Sequence, residues 1–302
     1  MNNKYLVTGG AGFIGSHLVD ALIARGDDVT VVDNLSTGER KNINPQAKLV
    51  EADIRDLPKI LPHFTDINGV FHVAARARVQ PSITDPLEPN DINIAGTLNV
   101  LWAAKKNGVK RVIYSSSSSV YGEQASLPLR EDMPPRPMSP YALQKWVGEE
   151  YCKLFSKVYG LETVSLRYFN VYGPRMIRNG AYATALQIFL GNLERGEPIT
   201  IFGDGEQTRD FTHVDDVVAA NLLAMAGSAA CRGEASNITS GKNYTVNQIA
   251  KMVGGPVIYA PEKLEPRHNH ADNSLAKQLL GWEPVKKLED AILELKKERG
   301  LK

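Results

Sequence analysis

Through the first two thirds of the chain, short apolar runs alternate with longer stretches whose apolar side chains recur every three or four positions. The runs KYLVTG, DVTVVD, AKLVEAD, GVFHVAA, KRVIYSS and ETVSLRYF predict strands. Between them, Phe13 to Arg25, Asp91 to Asn107 and Pro140 to Tyr159 carry helical periodicity. Such alternation predicts an α/β fold, a doubly wound parallel sheet with helices on both faces. From about Asn170 the pattern breaks into shorter pieces: a helix near Ala181 to Arg195, a strand at Pro198 to Phe202, a helix at Val214 to Ala226 and a terminal helix from Leu288. The expected organisation is a first domain over residues 1–169, to which later segments return, and a smaller carboxy-terminal lobe built mainly from residues 170–302.

The turn after the first strand reads TGGAGFIG, with glycines at Gly9, Gly12 and Gly15, and it opens the first helix. Gly9 permits the tight turn, Gly12 lets the backbone approach a pyrophosphate, and Gly15 allows close packing of helix on strand, while the helix amino terminus attracts the anion. Alone this motif is weak. It gains weight from Asp33, which closes the second strand 18 residues after Gly15, where a carboxylate hydrogen-bonds an adenosine ribose. The first domain is therefore expected to be Rossmann-type. The same carboxylate repels a 2′-phosphate, and Asn34 rather than arginine follows it, so NAD is expected over NADP. Asp53, just after the third strand, is a candidate partner for the adenine amino group, with helix capping as the competing role.

Tyr141 and Lys145 stand four residues apart in SPYALQKWVGEEY. Residues at that spacing share a helix face, so the ammonium can lie beside the phenol. A free tyrosine has a pKa of about 10, and making it a base near neutrality requires lowering that by roughly three units, or roughly 4 kcal/mol. One positive charge about 6 Å away, at an effective dielectric of about 20, supplies roughly 3 kcal/mol, and a cationic nicotinamide ring much of the rest. The serine run Ser115 to Ser119 follows an apolar strand and precedes Val120 and Tyr121, which places it at a strand end rather than in a flexible linker.

Composition narrows the field. At 302 residues with 43% hydrophobic content the chain can bury a large core. A formal charge of +1, from 35 basic and 34 acidic side chains spread along the sequence, gathers neither nucleic acid nor an anionic membrane. Cys152 and Cys231 have no metal or redox spacing, so no disulfide framework is expected and a reducing, cytoplasmic setting fits. There is no signal-peptide pattern and no apolar run of membrane-spanning length. No metal is expected: His268, Asn269, His270 and Asp272 are close, but no other ligand cluster is evident in the sequence. His72 is expected to satisfy backbone groups, His213, Asp215 and Asp216 to begin a helix, and Trp102, Trp146 and Trp282 to pack.

Taken in order, TGGAGFIG, DNLSTG, HVAA, SSSSSVYG, YALQK, RYFNVYGP and GDGEQTRDFTHVDDV resemble the extended short-chain dehydrogenase/reductase family, and most its UDP-glucose 4-epimerase branch. The resemblance covers nearly the whole chain. It implies a tightly held NAD, a UDP-sugar against the carboxy-terminal lobe, and a homodimer formed through a helical bundle. By it, Tyr141 is the catalytic base, Lys145 holds the nicotinamide ribose and tunes the tyrosine, and Ser117 hydrogen-bonds the sugar hydroxyl. Asn93 supports the cofactor pocket, which Phe13, Ile14, Asn34, Ile54, Ala74, Ala75 and Tyr168 help to form, and Asn170 and Arg209 reach the UDP phosphates. The arginine usual in a later diphosphate-binding loop is Glu262 here, with Lys263 or Arg267 as replacement. Asn269 stands where glucose- and galactose-restricted enzymes place a bulky tyrosine, which leaves room for a 2-acetamido group.

Relatives that dehydrate or decarboxylate their sugars carry an acid where this chain has Ser118 and Ser119, so elimination chemistry lacks a titrating group. The expected reaction is 4-epimerisation of a UDP-hexose through a transient 4-keto sugar. The alternative is UDP-glucuronate 4-epimerase or decarboxylase, for which Arg76 or Arg78 supplies a cation. A non-catalytic NAD-sensing regulator is the remaining reading, and it gives no reason to keep serine, tyrosine and lysine together.

Overall fold

The computed structural model describes residues 2–77, 79–176, 184–227, 231–262 and 267–301. All six expected strands form: β1 (Lys4–Thr8), β2 (Asp28–Asp33), β3 (Lys48–Glu51), β4 (Gly69–His72), β5 (Arg111–Ser117) and β6 (Glu162–Tyr168). They lie in one parallel sheet of order β11-β6-β5-β4-β1-β2-β3, whose outermost strand β11 (Arg232–Ile238) comes from far along the chain. The order reverses between β1 and β4, so their carboxyl ends open a crevice at the point where doubly wound sheets bind ligands.

Side chains alternate across each strand, and each face has its own helical cover. On one face Tyr5, Val7, Val31 and Phe71 meet Leu18, Val19 and Leu22 of α1 (Phe13–Ala24) and Val217, Ala220 and Ala224 of the later helix Val214–Ala226. On the other, Leu6, Val32, Val70 and Val112 meet Val100, Leu101 and Ala104 of one helix and Cys152 and Phe155 of another. Each fully buried aliphatic side chain contributes about 1.5–3 kcal/mol, so these two layers carry the stability of the sheet. Between β3 and β6 the helices are α2 (Leu57–Ile60), α3 (Val79–Thr84), α4 (Leu87–Asn90), α5 (Thr97–Lys106) and α6 (Pro140–Tyr159). The stretch expected to be one helix from Asp91 starts with a π-helical segment, Asp91–Gly96, which runs into α5.

Beyond β6 the chain folds as small pieces. β7 (Val171–Tyr172) pairs with β10 (Thr212–His213), β8 (Ile199–Phe202) with β13 (Val257–Ala260), and β9 (Thr208–Asp210) lies between β12 (Asn243–Thr245) and β14 (His268–Asn269). Helix α7 (Ala185–Arg195) starts from a capping box between Thr184 and Gln187, and the expected start at residues 181–183 lies outside the described residues. α8 (Val214–Ala226) begins at its expected residue, capped by the His213 ring. α7, the helix Val246–Val253 and the terminal helix Leu288–Glu298 bury Leu186, Phe189, Ile249, Val253, Ile292 and Leu295 together. Among the described residues no helix is long and apolar enough to cross a membrane.

Candidate active site

The glycine-rich turn has the geometry that its sequence predicts. Gly9 sits at φ +74°, and a Cβ there would lie 2.7 Å from the Ala74 nitrogen. A Cβ on Gly15 would strike the Gly9 carbonyl at 2.1 Å, so α1 can start this close to β1 only through glycine. At Gly12 a Cβ would meet only that carbonyl, at 3.2 Å, which leaves a backbone surface that a phosphate can approach. Asp33 ends β2 nearly buried, with one carboxylate oxygen accepting from Ala11 N at 2.9 Å and the other from Leu35 N at 2.8 Å. Burial raises its pKa and the two amides oppose this. Gly12 and Asp33 thus fit the dinucleotide that the motif implies.

Asp53 is held by Asn34 Nδ2 at 2.8 Å and by the Arg55 guanidinium and amide. The Arg55 contacts are the main reason its carboxyl is held down at about 2. The competing capping role belongs to Asp56, which caps α2. The loop after β4 is clamped by Asn93: its Oδ1 accepts from Arg76 N at 2.8 Å, and its Nδ2 donates to Arg76 O at 3.1 Å and to Gln144 Oε1 at 2.7 Å. The loop bearing Ala74 and Ala75 is thereby tied to α6.

α6 is started by Ser139, whose hydroxyl accepts from Ala142 N, with Pro140 in the first turn. Tyr141 follows, its own amide donating to Ser82 Oγ at 3.1 Å. At this end of a helix the dipole favours negative charge on the phenol oxygen. One turn on, Lys145 is 3% exposed, and its ammonium donates to the Ser115 carbonyl at 2.7 Å and lies 5.0 Å from the Tyr114 ring centre. Burial lowers its pKa to about 8, against the field of Glu149. Ser117 ends β5, and its hydroxyl oxygen accepts from Ser119 N at 3.2 Å and from Ser119 Oγ at 3.0 Å.

One cleft of about 520 Å³ collects these parts. Gly9, Gly12, Phe13, Ile14, Gly15, Asp33, Asn34, Asp53, Ile54, Ala74 and Ala75 line one part of it, and Ser117, Tyr141, Tyr168, Asn170 and Asn269 the rest. Tyr168 is fixed by Ser115 Oγ at 3.1 Å and Asn221 Nδ2 at 2.8 Å, and burial pushes its phenol up to about 12. Asn170 adopts φ +33° and donates to the Asp210 carbonyl at 2.6 Å. The Oδ1 of Asn269 is buried without a hydrogen-bond partner.

Two expected substrate contacts lie off the cleft wall. Arg209 donates to the carbonyls of Thr208 and Arg267, although its strand partner in register, Asn269, does face the cleft. Arg267 turns to Asp204 at 2.6 Å and Glu262 at 3.8 Å, because the acidic loops beside it capture the guanidinium. Lys263 and Arg78 lie outside the described residues. Sequence reasoning missed Gln144 and Ser82, whose partners are 51 and 59 residues away, and polar contacts at that separation leave no periodic trace. His72 also differs from expectation: it bonds the hydroxyls of Thr8 at 2.8 Å and Thr97 at 2.9 Å rather than backbone groups, and burial takes its pKa down to about 3.

Residues 5–239 match the NAD dependent epimerase/dehydratase family. The chain belongs to that family. It is 37% identical over 304 residues to the UDP-glucose 4-epimerase of Mycolicibacterium smegmatis, with 96% of each chain covered. Among solved structures it resembles the UDP-glucose 4-epimerase of Thermotoga maritima with UDP-glucose (43% identity, TM-score 0.91, 96% of each chain). It is also similar to the UDP-N-acetylglucosamine 4-epimerase of Methanobrevibacter ruminantium in complex with UDP-N-acetylmuramic acid (39% identity, TM-score 0.91, 97% of each chain).

Proposed function

We propose that the protein interconverts the C4 epimers of a UDP-hexose, with NAD as a recycled cofactor. The observation that carries this reading is that Ser117 and Tyr141 line the same cleft as Gly12 and Asp33, with Lys145 buried beside its wall. A bound NAD would supply the hydride acceptor for the sugar C4 and, once reduced, the donor to its opposite face. Tyr141 takes the 4-hydroxyl proton and gives it back, Ser117 orients that hydroxyl, and Lys145 supplies positive charge from beneath. Asn93 supports the loop at Ala74 and Ala75, and Asp33 receives the adenosine ribose. Asn170 addresses the UDP end, with Arg209 and Arg267 in reach only through a turn of their side chains. Ser118 and Ser119 face the cleft where an elimination enzyme needs an acid, so the 4-keto sugar is reduced again rather than dehydrated.

The orphan Oδ1 of Asn269 supports acceptance of 2-acetamido sugars, since an amide N–H from the substrate would satisfy it. The alternative acid-sugar reading draws support from Arg76, which lines the cleft while paired to Glu88 at 3.0 Å. We place the enzyme in the reducing cytosol as a homodimer. Cys152 and Cys231, which are not joined in a disulfide, support the first, and Leu143, Leu154, Val158 and Tyr159, all exposed along α6, support the second.

The test is to incubate the protein with UDP-glucose, UDP-galactose, their two N-acetylated counterparts and UDP-glucuronate, and to follow the C4 configuration by proton NMR. Inversion of the neutral sugars without accumulated reduced cofactor is expected. Turnover of UDP-glucuronate alone would transfer the assignment to the alternative, and inversion of none would refute it.

A further inference from the structure

Behind Ser117 lies an ion pair with no part in the catalytic reading. Glu149 is 0% exposed and Arg167 3% exposed, joined in a two-pronged contact of 2.9 Å and 2.7 Å. Burying such a pair is a poor way to gain stability, since apolar residues of similar volume often do as well or better. Its placement suggests another use. Tyr141, Lys145 and Glu149 follow one another at four-residue intervals on α6, so they share one helix face. Lys145 grips the Ser115 carbonyl and Glu149 accepts from the Ser116 hydroxyl. Two successive helical turns thus hold the two strand residues that immediately precede Ser117.

The same carboxylate also acts on Lys145, opposing the effect of burial. Among the described residues, the ionisable groups that act on or face this ammonium are Cys152 and Glu149 on its own helix, Tyr114 on β5 and His72 on β4. Burial holds Cys152 at about 12 as a neutral thiol, His72 at about 3 as a neutral ring, and Tyr114 as a neutral phenol. Glu149 takes both prongs of the Arg167 guanidinium and stands one helical turn from Lys145.

We propose that Glu149, held by Arg167, is a positioning residue of the active site: it fixes Ser116, and through it Ser117, against the catalytic helix, and it sustains the positive charge of Lys145. The inference rests on the roles given above to Ser117, Tyr141 and Lys145. In the NAD-loaded enzyme, the variant Glu149→Gln/Arg167→Met removes both charges and leaves neither one buried alone. The alkaline limb of its kcat profile, set by Lys145, whose value burial brings to about 8, is expected to move to lower pH by roughly half a unit or more, because the lost carboxylate acts on the ammonium directly and the guanidinium lost with it offsets only part of that. KM for the UDP-sugar stays within about threefold. A structural pair alone would lower Tm and leave the limb in place, and a limb coincident with that of the parent overturns the charge role.

Ser116→Ala keeps the ion pair and tests the grip if the double variant does not fold. A kcat at least about tenfold lower, with NAD retained and Tm near that of the parent, supports positioning, and a smaller loss overturns it. Tyr141→Phe run alongside separates the two levels. If that variant keeps turnover, the catalytic reading itself fails. If it is dead while both other variants behave as the parent does, only the role of Glu149 fails.

Discussion

The ammonium of Lys145 ends 2.7 Å from the main-chain carbonyl of Ser115, in a pocket that water does not reach. Burial lowers its pKa from 10.5 to about 8. Because the folded value lies below the unfolded one, the buried charge costs stability at neutral pH, and that cost fades as pH rises from about 8 to about 10.5. Lys145→Met is therefore expected to melt at a higher temperature than the parent at pH 7, by up to roughly 3 kcal/mol in stability, while turning over far more slowly. Thermal melts paired with kcat measurements check this, and a variant that is both active and less stable would contradict it.

Tyr141→Phe removes one oxygen from the cleft wall and leaves the Ser82 contact, which is made by the main chain. Turnover is expected to fall by about 10²–10⁴-fold with bound NAD unchanged. Single-turnover NMR and release of cofactor on denaturation give the two readings, and retained activity would remove the tyrosine from its role.

Cofactor choice rests on Asp33 with Asn34. Replacing them as Asp33→Ser/Asn34→Arg removes the repulsion of a 2′-phosphate and adds a cation for it. The ratio of NADP to NAD retained after exchange should rise at least about tenfold, or about 1.4 kcal/mol. An unchanged ratio would show that discrimination resides elsewhere in the turn.

Acid stability should show two opposed slopes. The folded value of His72, about 3, lies below the ordinary histidine value of 6.5, so stability is lost as pH falls from about 6.5 towards 3. Asp210 runs the other way: burial raises it from 3.8 to about 6, and stability is regained as pH falls from about 6 to 4. Urea unfolding across this range should be nearly flat between about pH 6 and 4 and drop below it. In Asp210→Asn the decline should begin near pH 6.5, and a flat profile in that variant would exclude His72 as the source.

Gly148 leaves no space for a side chain. A Cβ there would lie 2.2 Å from the Tyr114 hydroxyl and 2.4 Å from its Cζ, and Tyr114 is 1% exposed. Gly148→Ala is expected to cost about 1–3 kcal/mol and to disturb the ring beneath Lys145, lowering Tm and kcat together. A fully stable, fully active variant would show that α6 can shift on β5.

The parts of this protein legible in its sequence are those where local pattern and chemistry coincide. β1, the Gly9–Gly15 turn and the start of α6 each fit within one run of residues, marked by an apolar run, by glycine spacing and by Ser139 before Pro140. β11 was not legible because, of the buried positions in RGEASNI, only Ile238 is aliphatic, the others being Gly233, Ser236 and Asn237. Asn237 is at home there because it accepts from the Tyr121 hydroxyl at 2.7 Å and donates to the carbonyls of Leu129 and Asp272. In the site, Tyr141 and Ser117 could be placed from neighbours, whereas Arg267 could not: its partner Asp204 is 63 residues away, and nothing local announces that pairing.

The outermost strand β11 also has a consequence for biosynthesis. Since it docks on β6 from beyond residue 230, a nascent chain that has emerged only as far as β6 presents an unzipped margin of amides and carbonyls. Proteolytic fragments or gene fusions cut near residue 169 would inherit that raw border and stick to one another, so the two halves of the molecule must be made, inherited and transplanted as one piece.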